Sequence, residues 1–212
     1  MSGILTVCDA NVCRSVAAEF LLAEEFSQRA SLAGVRVSSR GAQALQAHSA
    51  CRLVAEMRED ETWLARSRRH QSLQLGAEEI EDADLILTAT TSSRAAVVSL
   101  VPGARRRVFT MREALWLAPG FAPRPGAVGD DLVRDFAAHL DAQRGLQQVP
   151  VKRARPWRRA AHPFDIADGH GAGRRAHAAT LQQVQKTVAE LVRAMATDPT
   201  LPFLSTRRAP VQ

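Results

Sequence analysis

The sequence predicts an α/β fold: a small doubly wound parallel sheet of about four strands, with helices on both faces in three layers. Strand-length apolar runs alternate with segments of helical periodicity along the chain, the pattern of parallel strands joined by crossover helices. The first apolar run also passes through a single polar turn straight into a helix, at the strand end where doubly wound folds hold their ligands.

Residues Gly3 to Val7 (GILTV) form a short apolar run that suits a buried parallel strand. The turn Cys8-Asp9-Ala10-Asn11-Val12-Cys13-Arg14-Ser15 follows. In the next segment, SVAAEFLLAEEF, Ala18, Leu21, Leu22 and Phe26 share one helical face, with Glu19, Glu24 and Glu25 mostly off it. Val35-Arg36-Val37-Ser38 alternates and reads as a second strand. Residues 49–60 read as a helix. Asp84 to Thr88 is a third strand, and a helix from about Arg94 to Leu100 stops at Pro102-Gly103. Arg107 to Thr110 is a fourth strand, followed by a helix near Arg112 to Leu117. Prolines and glycines make Ala118 to Gly129 a loop, and Leu132 to Leu140 is helical. Residues 145–164 are irregular and carry a basic cluster, Lys152, Arg153, Arg155, Arg158 and Arg159, read as a solvated loop. The last helix, about Ala178 to Met195, sets Leu181, Val184, Val188, Leu191 and Met195 at alternating steps of three and four. Residues 1–197 are expected to form one domain, and 198–212, with three prolines, a loose tail.

Composition narrows the function. The chain has 212 residues and a formal net charge of +6, and Lys152 and Lys186 are its only lysines. The arginine excess accompanies abundant alanine and reads as compositional bias. Aromatic residues make up only 5%, with no tyrosine, so no basic run is interleaved with stacking rings and nucleic acid is not an expected partner. No apolar run reaches the roughly 18 residues of a membrane span, and the N-terminus lacks a basic leader, so a cytoplasmic location without membrane attachment is expected. Cys8, Cys13 and Cys51 are a small and odd number, which argues against a disulfide framework. Neither a C-x-x-C pair nor histidines at helical ligand spacing occur, so no metal or other cofactor is expected.

The chemistry concentrates in one place. Cys8 and Arg14 stand in C-x5-R spacing, followed by Ser15. The spacing alone is weak in an arginine-rich chain, but here the cysteine ends a strand and the arginine opens a helix. Asn11 lies mid-loop, where a left-handed conformation is tolerated. A tight turn before a helix directs backbone N–H groups inward and cradles an anion, and the same donors favour a thiolate. Arg14 can grip two oxygens of a bound phosphate, and Ser15 can hydrogen-bond the sulfur.

The stretch Val7 to Ser15 resembles the signature loop of low-molecular-weight protein tyrosine phosphatases. Val37-Ser38-Ser39-Arg40-Gly41, His70-Gln71-Ser72, Ala83-Asp84-Leu85-Ile86-Leu87-Thr88 and Asp165-Ile166-Ala167-Asp168 resemble further motifs of that family in the same order. The resemblance implies a cysteine-dependent phosphomonoesterase. Cys8 would be the nucleophile, Arg14 the phosphate clamp, Ser15 the partner of the thiolate and Asp168 the general acid, then base. The backbone of Asp9, Ala10, Asn11, Val12 and Cys13 would hold phosphate oxygens. The implied ligands are a phosphorylated protein or small phosphate ester, and oxyanions such as phosphate or sulfate. Cys13 in this family can form a reversible disulfide with the nucleophile.

The sequence also departs from the family. Ala10 replaces a loop glycine, Val16 a proline, and Gly169 the proline after the acid, which is expected to loosen that loop. Gly169, His170, Gly171 and Leu45 stand where aromatic walls are common. Asp9 adds a carboxylate, expected to face solvent. His70, His162 and His170 are expected to be satisfied or exposed. Two other readings share these residues: thiol-dependent arsenate reduction, and a phosphate-binding module without turnover.

Overall fold

The computed structural model describes residues 3–44, 47–146, 148–149 and 162–196. Leu45, the basic cluster 152–159 and the tail 198–212 lie outside the described residues. Four strands, β1 (Gly3–Cys8), β2 (Arg36–Gly41), β3 (Leu85–Thr88) and β4 (Val108–Thr110), form one sheet in the order β2-β1-β3-β4. Every pairing is parallel, with Ile4 opposite Val37 on one side and Leu85 on the other.

Period-2 alternation sorts the strand side chains onto two cores. Ile4, Cys8, Leu85, Leu87 and Phe109 face the larger one. Leu5, Val7, Ile86 and Val108 face the smaller one. The larger core is closed by α1 (Arg14–Ser27), α6 (Met111–Leu117), α7 (Asp130–Gln143) and α8 (Arg174–Met195). The smaller is closed by α4 (Ala77–Asp82) and α5 (Thr91–Leu100), through Ile80 and Val97. Each expected stripe residue of α8 is buried. So are Ala18, Leu21, Leu22 and Phe26 of α1, together with Val16, Ala17 and Phe20.

The chain leaves β1 for β2 on one side and then crosses to β3 on the other. This reversal makes the carboxyl end of β1 the switch point, and Cys8 is its last residue.

The helix read over 49–60 is corrected. Only α2 (Arg52–Ala55) is helical there, and a separate helix, α3 (Glu61–Arg69), begins after it. The Asp60 carboxylate accepts from Trp63 N at 2.8 Å and starts this second helix, so the polar run before it is a connection. Trp63 then fills the gap between the two, its indole N–H donating to Val54 O at 2.8 Å and its ring edge-on to Phe20 at 5.3 Å. β2 also runs on to Gly41, where Gly41 pairs with Gln74.

Candidate active site

The turn Asp9–Cys13 joins β1 to α1 and is held by Asn11, which is fully buried with φ 55°. Its Nδ2 donates to Ser15 Oγ at 3.1 Å and Ser39 Oγ at 2.8 Å, and its Oδ1 accepts from Leu73 N at 2.9 Å. Its carbonyl meets His70 Nε2 at 2.9 Å, so His70 supports the turn. Among the described residues, the non-glycine positions with positive φ are Asn11 and Ala47. The left-handed step therefore falls on Asn11, and Ala10 needs no positive φ.

Cys8 Sγ lies 3.1 Å from Ser15 Oγ. Because Asn11 donates to that hydroxyl, its own hydrogen is available to the sulfur. Cys13 is the N-cap of α1 and caps it with no side-chain bond. Gly41 lets the chain after β2 approach: a Cβ there would meet Asp9 O at 2.7 Å, and Ala42 N and Gln43 N each donate at 2.8 Å, to Cys8 O and Asp9 O.

Arg14 is 2% exposed. Its Nη1 donates to Ile166 O at 3.1 Å, and its Nη2 to Asp9 Oδ2 at 2.9 Å and Asp168 Oδ2 at 3.0 Å. Burial works against the guanidinium charge, but Cys8, Asp168 and Asp9 outweigh it and raise its pKa. Asp9 is thus corrected: it is half-exposed, yet its carboxylate binds Arg14 and accepts from Ser93 Oγ at 3.0 Å.

The segment carrying Asp168 hangs on the carboxyl edge of the sheet. Ile166 N donates to Ala89 O at 2.9 Å, Thr110 Oγ1 to Phe164 O at 2.9 Å, and Thr91 N to Asp165 Oδ1 at 2.7 Å. Thr180 of α8 donates to Ala167 O at 3.1 Å. Gly169 is buried against the start of α8, where a Cβ would lie 2.5 Å from Ala176 O. Gly169 thus allows a close backbone contact that no larger residue fits.

All three cysteines are free and buried. Cys13 Sγ stands 2.8 Å from His177 Nε2 and Cys51 Sγ 3.4 Å from the same atom, while Cys51 N donates to Val12 O at 2.9 Å. The neighbouring Cys13 thiol pulls the Cys51 pKa down, and the same pairing, with burial, pushes Cys13 up. The histidine spacing in the sequence could not reveal this group, since His177 lies 164 positions from Cys13 and 126 from Cys51. His170 is exposed, its ring 4.8 Å from that of His177, and His162 is exposed beside Phe164.

A thiol and a guanidinium at the two ends of one turn, at the switch point of a parallel sheet, define a thiol enzyme built to receive an oxyanion. The profile of the low molecular weight phosphotyrosine protein phosphatase family matches residues 3–117, and the chain belongs to that family. It is a hydrolase of phosphate monoesters of the protein-tyrosine-phosphatase type. The low molecular weight protein-tyrosine-phosphatase Etp of Escherichia coli K12 is 32% identical over 124 residues, spanning 58% of this chain and 77% of that protein. The fold is that of the tyrosine phosphatase AmsI of Erwinia amylovora, at TM-score 0.58 and 21% identity over 91% of both chains. It is also that of the YwlE arginine phosphatase of Geobacillus stearothermophilus, at TM-score 0.56 and 23% identity over 90% of both. These matches are phosphatases by name and do not favour arsenate reduction. Among the described residues, no helix is long and apolar enough to cross a membrane.

Proposed function

We propose that the protein hydrolyses phosphate monoesters, phosphotyrosine in a protein foremost, through a phosphocysteine. Cys8 attacks phosphorus as a thiolate, and the bond to the leaving oxygen breaks as Asp168 gives that oxygen its proton. Asp168 then takes a proton from water, which attacks the phosphocysteine and releases inorganic phosphate and the Cys8 thiolate. Ser15 donates to the sulfur as it leaves. Arg14 and the amides of residues 9–14 hold the equatorial oxygens. The reading places the protein in the cytoplasm, where a reducing medium keeps Cys8 free.

One observation carries this reading: the 3.0 Å pair of Arg14 with Asp168, residues 154 positions apart, at a turn that also holds Cys8. A carboxyl group beside a cysteine turn and its arginine is what acid-base assistance to a thiol nucleophile requires. The test is hydrolysis of an aryl phosphate and a phosphotyrosine peptide by wild type, Cys8→Ser and Asp168→Ala. Cys8→Ser is expected to be inactive, and Asp168→Ala slower by a factor of about 10²–10⁴. Rapid quench of the wild type is expected to trap phosphate on Cys8. Equal rates in all three proteins would remove the proposal, and tight phosphopeptide binding without turnover would make the protein a binding module.

A further inference from the structure

Among the described residues, the mechanism leaves one buried group of His and Cys side chains unused. Cys13 in the turn after β1, Cys51 at the start of α2 and His177 in the first turn of α8 come from three separate parts of the chain. All three are buried, and their ligand atoms lie within 4.8 Å of one another. Two sulfurs and an imidazole nitrogen are the donor set that borderline and soft cations select over magnesium or calcium.

The spacing suits such an ion. Zinc takes sulfur at about 2.3 Å and imidazole nitrogen at about 2.0–2.1 Å, which in a tetrahedron sets sulfur–nitrogen pairs about 3.6 Å apart. The sulfur–nitrogen distances here are 2.8 Å and 3.4 Å, so the donors need to part by less than about 1 Å. The backbone holds them ready: Cys51 N is bonded to Val12 O, and His177 N to Gly173 O in the first turn of α8.

We propose that Cys13, Cys51 and His177 bind one Zn2+-class cation that ties the phosphate-binding turn to α8. On binding, both thiols release their protons to solvent, neutral His177 gives its Nε2 lone pair, and the ion sheds water, with no change of oxidation state. The three side chains leave a tetrahedral ion one position for water. Such an ion joins the turn beside Arg14 to the helix that carries Thr180, and so braces the Asp168 segment.

The test uses the full chain, stripped of metal by a chelator and kept reduced with a phosphine. Co2+ is titrated in anaerobically. One equivalent is expected to give a sulfur-to-cobalt charge-transfer band with tetrahedral visible bands. Zn2+ is expected to abolish both and to raise the Tm. Cys51→Ser and His177→Gln should each weaken Co2+ binding at least ten-fold and abolish the Tm rise, while Cys8→Ser binds as wild type. Far-UV circular dichroism checks folding, and Cys51→Ala and His177→Ala replace any variant that does not fold. The site is refuted if Cys8→Ser loses the band, which would put the ion on the nucleophile. It is equally refuted if the band survives in the Cys51 and His177 variants, or if wild type shows neither band nor Tm rise. A Cys13–Cys51 disulfide in the phosphine-reduced protein, found by peptide mapping in place of metal uptake, overturns it too.

Discussion

Asn11 shows how one residue can serve a turn in two ways. Its amide tolerates the left-handed backbone, and the same amide bonds Ser15, Ser39 and Leu73. That position was legible in the sequence, because a polar mid-loop residue able to take positive φ is a local property. The neighbouring Asp9 was not. Its inward turn depends on Ser93, 84 positions away. Since Asp9 and Asp168 both bind Nη2 of Arg14, an arriving phosphate must compete with them. Asp9→Asn keeps an oxygen for Ser93 and removes one competing charge, so inorganic phosphate is expected to inhibit it several-fold more tightly in steady-state assays. Weaker inhibition would mean that Asp9 chiefly holds Arg14 in place. Gly169→Ala tests the contact behind Asp168. A Cβ 2.5 Å from Ala176 O must push the segment outward, because a helix carbonyl cannot yield as a side chain does. The expected result is a kcat falling toward that of Asp168→Ala with little change in KM.

At the scale of elements, propensity and capping explain both the agreements and the one misplaced helix. Strand β1 and helix α1 follow from an apolar run and a clear stripe. Between Met57 and Trp63 no apolar residue continues the pattern, and a cap decides instead: Asp60 starts α3, and Trp63 bridges it to α2. Asp60→Ala is expected to lower the unfolding free energy by about 0.5–2 kcal/mol in urea titration, with kcat unchanged well below the melting range. A loss of activity without a loss of stability would show that α3 acts on the site through His70. Helix α8 does more than fill the core, since its first turns also support Ala167 through Thr180 and place His177 beside two cysteines.

For the whole molecule, one sheet separates two cores, and its strands contribute to both. Cutting a cavity on either side should therefore loosen the same sheet. Ile80→Ala in the smaller core and Leu191→Ala in the larger are each expected to cost about 2–5 kcal/mol. Each should still unfold in one step, with near- and far-UV circular dichroism coinciding. Two separated transitions would make the cores independent units. Local sequence pattern was enough for the alternation of strands and helices, the buried stripes, and the turn that sets Cys8 and Arg14 at the end of the first strand. These depend on sterics and periodicity within a few residues of one another. Packing, and not local pattern, turns Asp9 inward, brings Gly169 against a helix carbonyl, and sets the ligand atoms of Cys13, Cys51 and His177 within 4.8 Å of one another. The contacts of Asp9 with Ser93 and of Cys13 and Cys51 with His177 join segments 84 to 164 positions apart, and Gly169 meets Ala176 only because the segment folds back onto the start of α8; such distances exist only once packing has set them.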